Sequence, residues 1–234
     1  MVSSESKTSS QSRGTDCPEG GEDARADRRK GRDGKGKRVR KIRPLDETTL
    51  RDLALSYVAR FSTTGAKLEA YLARKLRERG VAEDTDGRSV ELDVPALVAR
   101  LVELGYVDDE LYARSKSRDL TQRGYGARRV EEALWAAGVD EEVRADNAPS
   151  EAESRRAVQL LAKKRRFGPY GEARFEGLDR DQTRKLREKQ VAAMLRAGHS
   201  FEHVRFIMDA AGKDDIDAWL EEAEDEEKDN RGPW

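Results

Sequence analysis

Residues 104–134 read LGYVDDELYARSKSRDLTQRGYGARRVEEAL, two helical periods joined by a glycine turn. Ala113 and Leu120, seven apart, share one face of a helix, and Val130 and Leu134, four apart, open a second apolar stripe that stops at Gly138. Between them Gly124-Tyr125-Gly126 breaks the periodicity as a turn. The spacing predicts helices over 109–122 and 127–137. Asp108, Asp109 and Glu110 are three adjacent acids that a carboxylate site would also use. At a helix start they serve as N-cap and as negative charge at the positive end of the dipole.

Outward from this stretch the same period continues. Leu50, Leu53, Ala54, Tyr57, Val58 and Phe61 form one stripe, Leu68, Tyr71, Leu72 and Leu76 a second ended by Gly80, and Val94, Leu97, Val98, Leu101 and Val102 a third ended by Gly105. On the other side a weaker helix starts near Glu141. Ser150 and Glu153 form a capping-box pattern opening a helix through Arg166, a further helix ends near Arg196, and Ser200 opens one with Val204, Ile207, Met208 and Ala211 on a single face. The triplets Leu72-Leu76-Gly80, Val130-Leu134-Gly138 and Val191-Leu195-Gly198 recur with glycines 58 and 60 residues apart. A fixed period of helix ends implies tandem copies of one unit. The expected fold is all-α: three tandem three-helix repeats over residues 46–106, 107–149 and 150–213, forming an elongated, curved body. The segments Ala82–Asp93 and Gly168–Asp179 carry Gly, Asp and Pro without periodicity and are expected as loops.

Composition agrees. With 234 residues, 40% charged against 36% hydrophobic, a single thick core is disfavoured. The net charge of −1 is an average. Arg28–Arg43 holds ten bases and one acid, net +9, while Asp214–Asp229 holds ten acids and one base, net −9. Residues 1–45 are expected as a disordered basic arm, too poor in apolar side chains to offset the entropy of ordering. Such an arm either attracts phosphates or merely solubilises. In the acidic tail, 214–234, Ile216, Trp219 and Leu220 predict a short docking helix, with a solvated end beyond Glu221.

Other classes are excluded. The single Cys17 permits neither an intramolecular disulfide nor a cysteine zinc framework. No apolar run approaches the roughly 18 residues of a membrane span, and the start of the chain lacks a signal-peptide core, so a cytoplasmic protein without membrane partners is expected. His199 and His203 have a chelating i, i+4 spacing, but Ser200 interrupts them as an N-cap and no further ligands stand nearby. There is no phosphate-binding GxxxxGK[ST] loop. No catalytic residue, metal or cofactor is expected, and the chain is not read as an enzyme.

What remains is a basic surface. Arg114–Arg129 contains Arg114, Lys116, Arg118, Arg123, Arg128 and Arg129 against Asp119. Arg155–Arg166 contains Arg155, Arg156, Lys163, Lys164, Arg165 and Arg166 with no acid. At roughly 100° per residue from Ala113, Arg114 and Arg118 fall on one side of the apolar stripe and Lys116 and Arg123 on the other. Long basic side chains also rim buried stripes by snorkelling, which is the plainer account. The functional one is a positive face for phosphates or an acidic groove. Tyr125 either stacks on a partner there or packs into the turn.

The 104–134 stretch closely resembles the signature of the RecX family of RecA recombinase regulators: a Leu-Gly-Tyr lead, two acids, an aromatic followed by Ala-Arg, then Arg-Gly-Tyr-Gly before a basic helix. With the repeats, the resemblance extends over roughly residues 46–212. It implies a non-enzymatic, monomeric modulator that binds the deep groove of the RecA–single-stranded DNA filament and limits strand exchange, ATP hydrolysis and coprotease activity. Candidate contacts to RecA or DNA are Arg114, Lys116, Arg118, Arg123, Tyr125, Arg128 and Arg129, with Lys163, Lys164, Arg165 and Arg166 from the second basic window. Ala127 departs from the family pattern, where proline often follows Arg-Gly-Tyr-Gly. The arm, the two loops and the acidic tail are additions to it. The alternative is a stand-alone helical protein that binds single- or double-stranded DNA through its arm and basic helices. The arm and tail are also expected to pair and mask each other.

Overall fold

The computed structural model describes residues 43–230 except 84, 85, 88 and 90. The described residues form ten α-helices: α1 (Glu47–Val58), α2 (Gly65–Arg79), α3 (Val94–Glu103), α4 (Asp109–Gln122), α5 (Ala127–Trp135), α6 (Glu141–Asp146), α7 (Glu151–Arg165), α8 (Arg180–Arg196), α9 (Phe201–Asp209) and α10 (Lys213–Asn230). No strand occurs among them, only two isolated bridges. The arm expected over 1–45 falls, up to residue 42, outside the described residues. Leu45 is already part of the body: it is fully buried, its N–H donates to the Gly80 carbonyl at 2.9 Å and its carbonyl accepts from Ala82 at 2.9 Å.

Side-chain caps set most helix starts. Asp46, Thr64, Asp93, Asp108, Ser150, Asp179 and Ser200 each accept from the N–H three residues on, satisfying a donor the helix itself leaves orphaned. At Ser150 and Asp179 the capping box is reciprocal. α5 has no such cap, because its first N–H groups are satisfied by another segment: Gly126 donates to the Ala197 carbonyl at 2.9 Å and Arg128 to the Gly198 carbonyl at 3.2 Å.

The buried side chains fall into three clusters. One gathers Leu45, Leu50, Ala54, Leu68, Leu72, Val94, Val98, Leu101 and Val107 around α1–α3. A second gathers Ala113, Leu120, Val130, Leu134, Ala137 and Val139 around α4–α6. The third, including Val158, Met194, Val204, Ile207, Ile216 and Leu220, joins α7, α8, α9 and α10. The first two are tied by polar bonds: Thr64 Oγ1 donates to the Ala137 carbonyl at 2.5 Å, Gly65 N–H to Asp109 Oδ1 at 2.9 Å and Lys67 Nζ to the Tyr112 hydroxyl at 2.5 Å.

Gly80, Gly138 and Gly198, behind α2, α5 and α8, all have positive φ (74°, 73° and 91°), the left-handed region that glycine enters without penalty. In α8, however, the buried positions are Gln190 and Met194, not Val191 and Leu195. Gln190 is polar because its Oε1 accepts the Gly168 N–H at 3.1 Å inside the third cluster.

Four further expectations are corrected. The segment from Gly168 is not all loop: Gly168–Arg174 forms a 3₁₀ helix kinked at Gly171, with Pro169 in its first turn. The acidic tail does not leave helix at Glu221; α10 runs on to Asn230 with Ala223 buried beside Ile216 and Leu220. α5 stops at Trp135, and α9 stops at Asp209, leaving Ala211 exposed. No described helix is long and apolar enough to cross a membrane.

Candidate partner-binding surface

The Arg123-Gly124-Tyr125-Gly126 turn is a joint. Gly124 has φ 89°, and a Cβ there would sit 3.3 Å from the Leu161 backbone of α7. A Cβ on Gly126 would sit 2.3 Å from the Gly198 carbonyl oxygen, so the α4–α5 turn meets the α8–α9 turn backbone to backbone. The buried His199 fastens it, its Nε2 lying 3.1 Å from the Gly124 carbonyl. A carbonyl only accepts, so Nε2 carries the proton and Nδ1 is left without a partner. Burial drives this imidazole down to about 4, only partly offset by the bond to Gly124. Lys164 Nζ donates to the Arg123 carbonyl at 3.2 Å, which places the C-terminal end of α7 against the same turn.

The candidate cations divide by their pairing. Arg114 pairs with Glu110 at 2.6 Å, Arg123 with Asp119 at 3.3 Å, and Arg128 and Arg129 both with Glu132, at 3.3 and 3.1 Å. All are exposed pairs within one helix or its cap, worth at most about 1 kcal/mol and readily exchanged for another anion. Lys116, Arg118, Lys163, Lys164, Arg165 and Arg166 make no ion pair with the described residues. Lys163 lies 5.6 Å from the Tyr170 ring centre. Arg166 caps α7 in the left-handed region at φ 56°, a conformation that strains a residue with a Cβ. Tyr125 is half-buried against the second cluster, with the Arg123 guanidinium 5.6 Å from its ring centre, so its turn-packing role is realised.

Arg118, Thr121 and Gln122 of α4 face Glu153, Arg156, Gln159 and Leu160 of α7 across a cleft of about 490 Å³. Sequence reading placed Arg156 in a basic window without singling it out. The signal that marks it is long-range: Arg156 pairs with Glu224 of α10 at 2.8 Å. Arg155 is more deeply engaged. It pairs with Glu151 at 2.7 Å and Glu222 at 3.2 Å, donates to the Trp219 carbonyl at 2.7 Å, and lies 4.6 Å from the Trp219 ring centre. Part of the basic window on α7 is thus met by the acidic helix.

The remaining acids and histidine have structural roles. Asp108 caps α4 through the Leu111 N–H at 2.8 Å, Asp109 reaches across to α2, and burial raises the Asp109 carboxyl above its ordinary range despite the Gly65 N–H it accepts. His203 meets Glu151 at 3.0 Å, and no cluster of three metal-ligating side chains occurs among the described residues.

The chain is 34% identical over 178 residues to the regulatory protein RecX of Myxococcus xanthus, a match spanning 74% of this chain and 90% of that protein. The chain belongs to the RecX family. Further RecX proteins match shorter spans, as in a Mycobacterium species at 36% identity over 102 residues, 43% of this chain and 51% of the relative. Crystalline RecX from Lactobacillus salivarius shares the fold, with a TM-score of 0.52 at 18% identity over 69% of this chain and 93% of that one. No family model matches the chain. Its relatives are named regulatory proteins, and membership of RecX gives the chain a regulatory role.

Proposed function

We propose that the chain modulates the RecA recombinase, chiefly as an inhibitor, by seating its basic face in the groove of the RecA–single-stranded DNA filament and limiting strand exchange, ATP hydrolysis and coprotease activity. The reading is carried by one observation, the cations gathered where the family's Arg-Gly-Tyr-Gly turn meets α7, with Lys164 bonded to Arg123. Lys116, Arg118 and Lys163–Arg166 offer charge with no described acid to displace. Arg114, Arg123, Arg128 and Arg129 exchange weak exposed pairs for partner contacts. Tyr125 acts by holding the turn and the Arg123 guanidinium in place. Catalysis has no part in this reading: the protein acts by occupying a surface as a monomer.

The test is RecA's DNA-dependent ATPase and strand exchange with purified protein at near-stoichiometric amounts. Both fall if the reading holds, and unchanged rates reject it. A protein that acts on nucleic acid alone would instead bind bare DNA with a steep salt dependence and no requirement for RecA.

A further inference from the structure

The α4–α7 cleft has the donor set of a phosphodiester site. Arg118 and Arg156 supply charge and Gln122 and Gln159 neutral amides, while the Thr121 hydroxyl at its wall donates back to the Ser117 and Arg118 carbonyls of α4 at 3.0 Å. Its one acid, Glu153, turns an oxygen to the Ser150 N–H at 3.1 Å as part of the α7 capping box. Two of the cleft's donors are already held by carboxylates, and both carboxylates belong to α10. Glu224 pairs with Arg156 at 2.8 Å and Asp217 accepts from Gln159 Nε2 at 2.6 Å. α10 is anchored independently of these bonds by Ile216, Leu220 and Ala223 in the third cluster, by Trp219 stacked on Phe206 at 4.3 Å, and by Arg155. Arg156, by contrast, is about half exposed and pairs with Glu224, with Glu227 and Lys228 of α10 lining the same recess, and Arg118 across the cleft makes no ion pair with the described residues.

We infer that α10 is a built-in anionic competitor: Asp217 and Glu224 hold Gln159 and Arg156 in place of a phosphate of single-stranded nucleic acid, which binds the α4–α7 cleft when it displaces them. The carboxylates show what those donors accept, and the exposed, salt-screened character of the Arg156–Glu224 pair makes the exchange inexpensive. The inference rests on the proposed function only in taking nucleic acid as the partner class.

The test compares two doubly substituted full-length proteins of equal net charge. Asp217→Ala with Glu224→Ala frees the cleft donors and leaves the buried stripe of α10 intact. Glu221→Ala with Glu226→Ala removes two exposed α10 carboxylates that hold nothing in the cleft. With a labelled oligothymidylate as probe, the first variant should bind about fivefold tighter than the second, with a salt slope steeper by about 0.7, one added single-strand phosphate contact. Adding Arg156→Ala to the first variant should abolish the gain. Equal gains in both variants would mean bulk charge alone and overturn the inference. So would absence of binding by every variant at low salt, or competition by polyglutamate as effective as unlabelled DNA. If the inference fails while the unaltered protein still inhibits RecA, the proposed function stands without it.

Discussion

His199 sits where three segments meet, and its burial carries a measurable consequence. In the unfolded chain its imidazole titrates near 6.5, whereas in the folded protein it stays neutral down to about 4. Between those values the unfolded state binds the extra proton, so stability is unaffected above pH 6.5 and falls as pH drops through the window. From pH 7 to pH 5 this residue should remove about 2 kcal/mol of stability. Urea unfolding of the wild type and of His199→Gln at both pH values checks this. The variant should lose less by that amount, and parallel losses would contradict the assignment. Other positions differ in how far the sequence discloses them. Ala113, Leu120, Val130 and Leu134 follow simple periodicity and are buried accordingly. Gly126 has an ordinary φ of −82°, and its need for glycine comes from the Gly198 backbone, 72 residues away, which no local pattern reveals. Gln190 is hidden for a similar reason, since a polar residue in a core position makes sense only with the Gly168 N–H it serves.

Among the helices, α4, α7 and α9 were legible to within a residue at their starts, because their cap chemistry is local, whereas the caps Asp46, Thr64, Asp93 and Asp179 did not stand out in the sequence. Of α10 only the first turns were legible, through Ile216, Trp219 and Leu220. The acids beyond Glu221 read as a solvated end, because two of the cations that stabilise the carboxylates of this helix, Arg155 and Arg156, lie on α7. Among the described residues the tail pairs with α7, and the arm–tail pairing expected from net charge involves residues that lie outside them. The helix is held chiefly by its apolar stripe. Ile216→Ala should cost about 2–4 kcal/mol in chemical unfolding, since Ile216 is fully buried in the third cluster. An effect below 1 kcal/mol would mean that α10 is held by charge rather than packing.

At the scale of the molecule, a net charge of −1 conceals segregation. Lys164, at the C-terminal end of α7 and without an ion pair among the described residues, bonds the Arg-Gly-Tyr-Gly turn, and carboxylates of α10 pair with Arg155 and Arg156 in the N-terminal half of the same helix. The family was legible in the sequence because the 104–134 motif combines caps, turn glycines and cations in one short span. The cleft was not, since α4 and α7 approach each other only in the fold. On the function proposed above, this basic face binds the assembled recombinase filament in preference to either component alone. The most direct measurement compares binding of the purified protein to bare single-stranded DNA, to free RecA and to the RecA–DNA filament at one salt concentration. Affinity for the filament should exceed that for either component by at least about tenfold, a difference of roughly 1.4 kcal/mol. Equal affinity for bare DNA and filament would contradict the account.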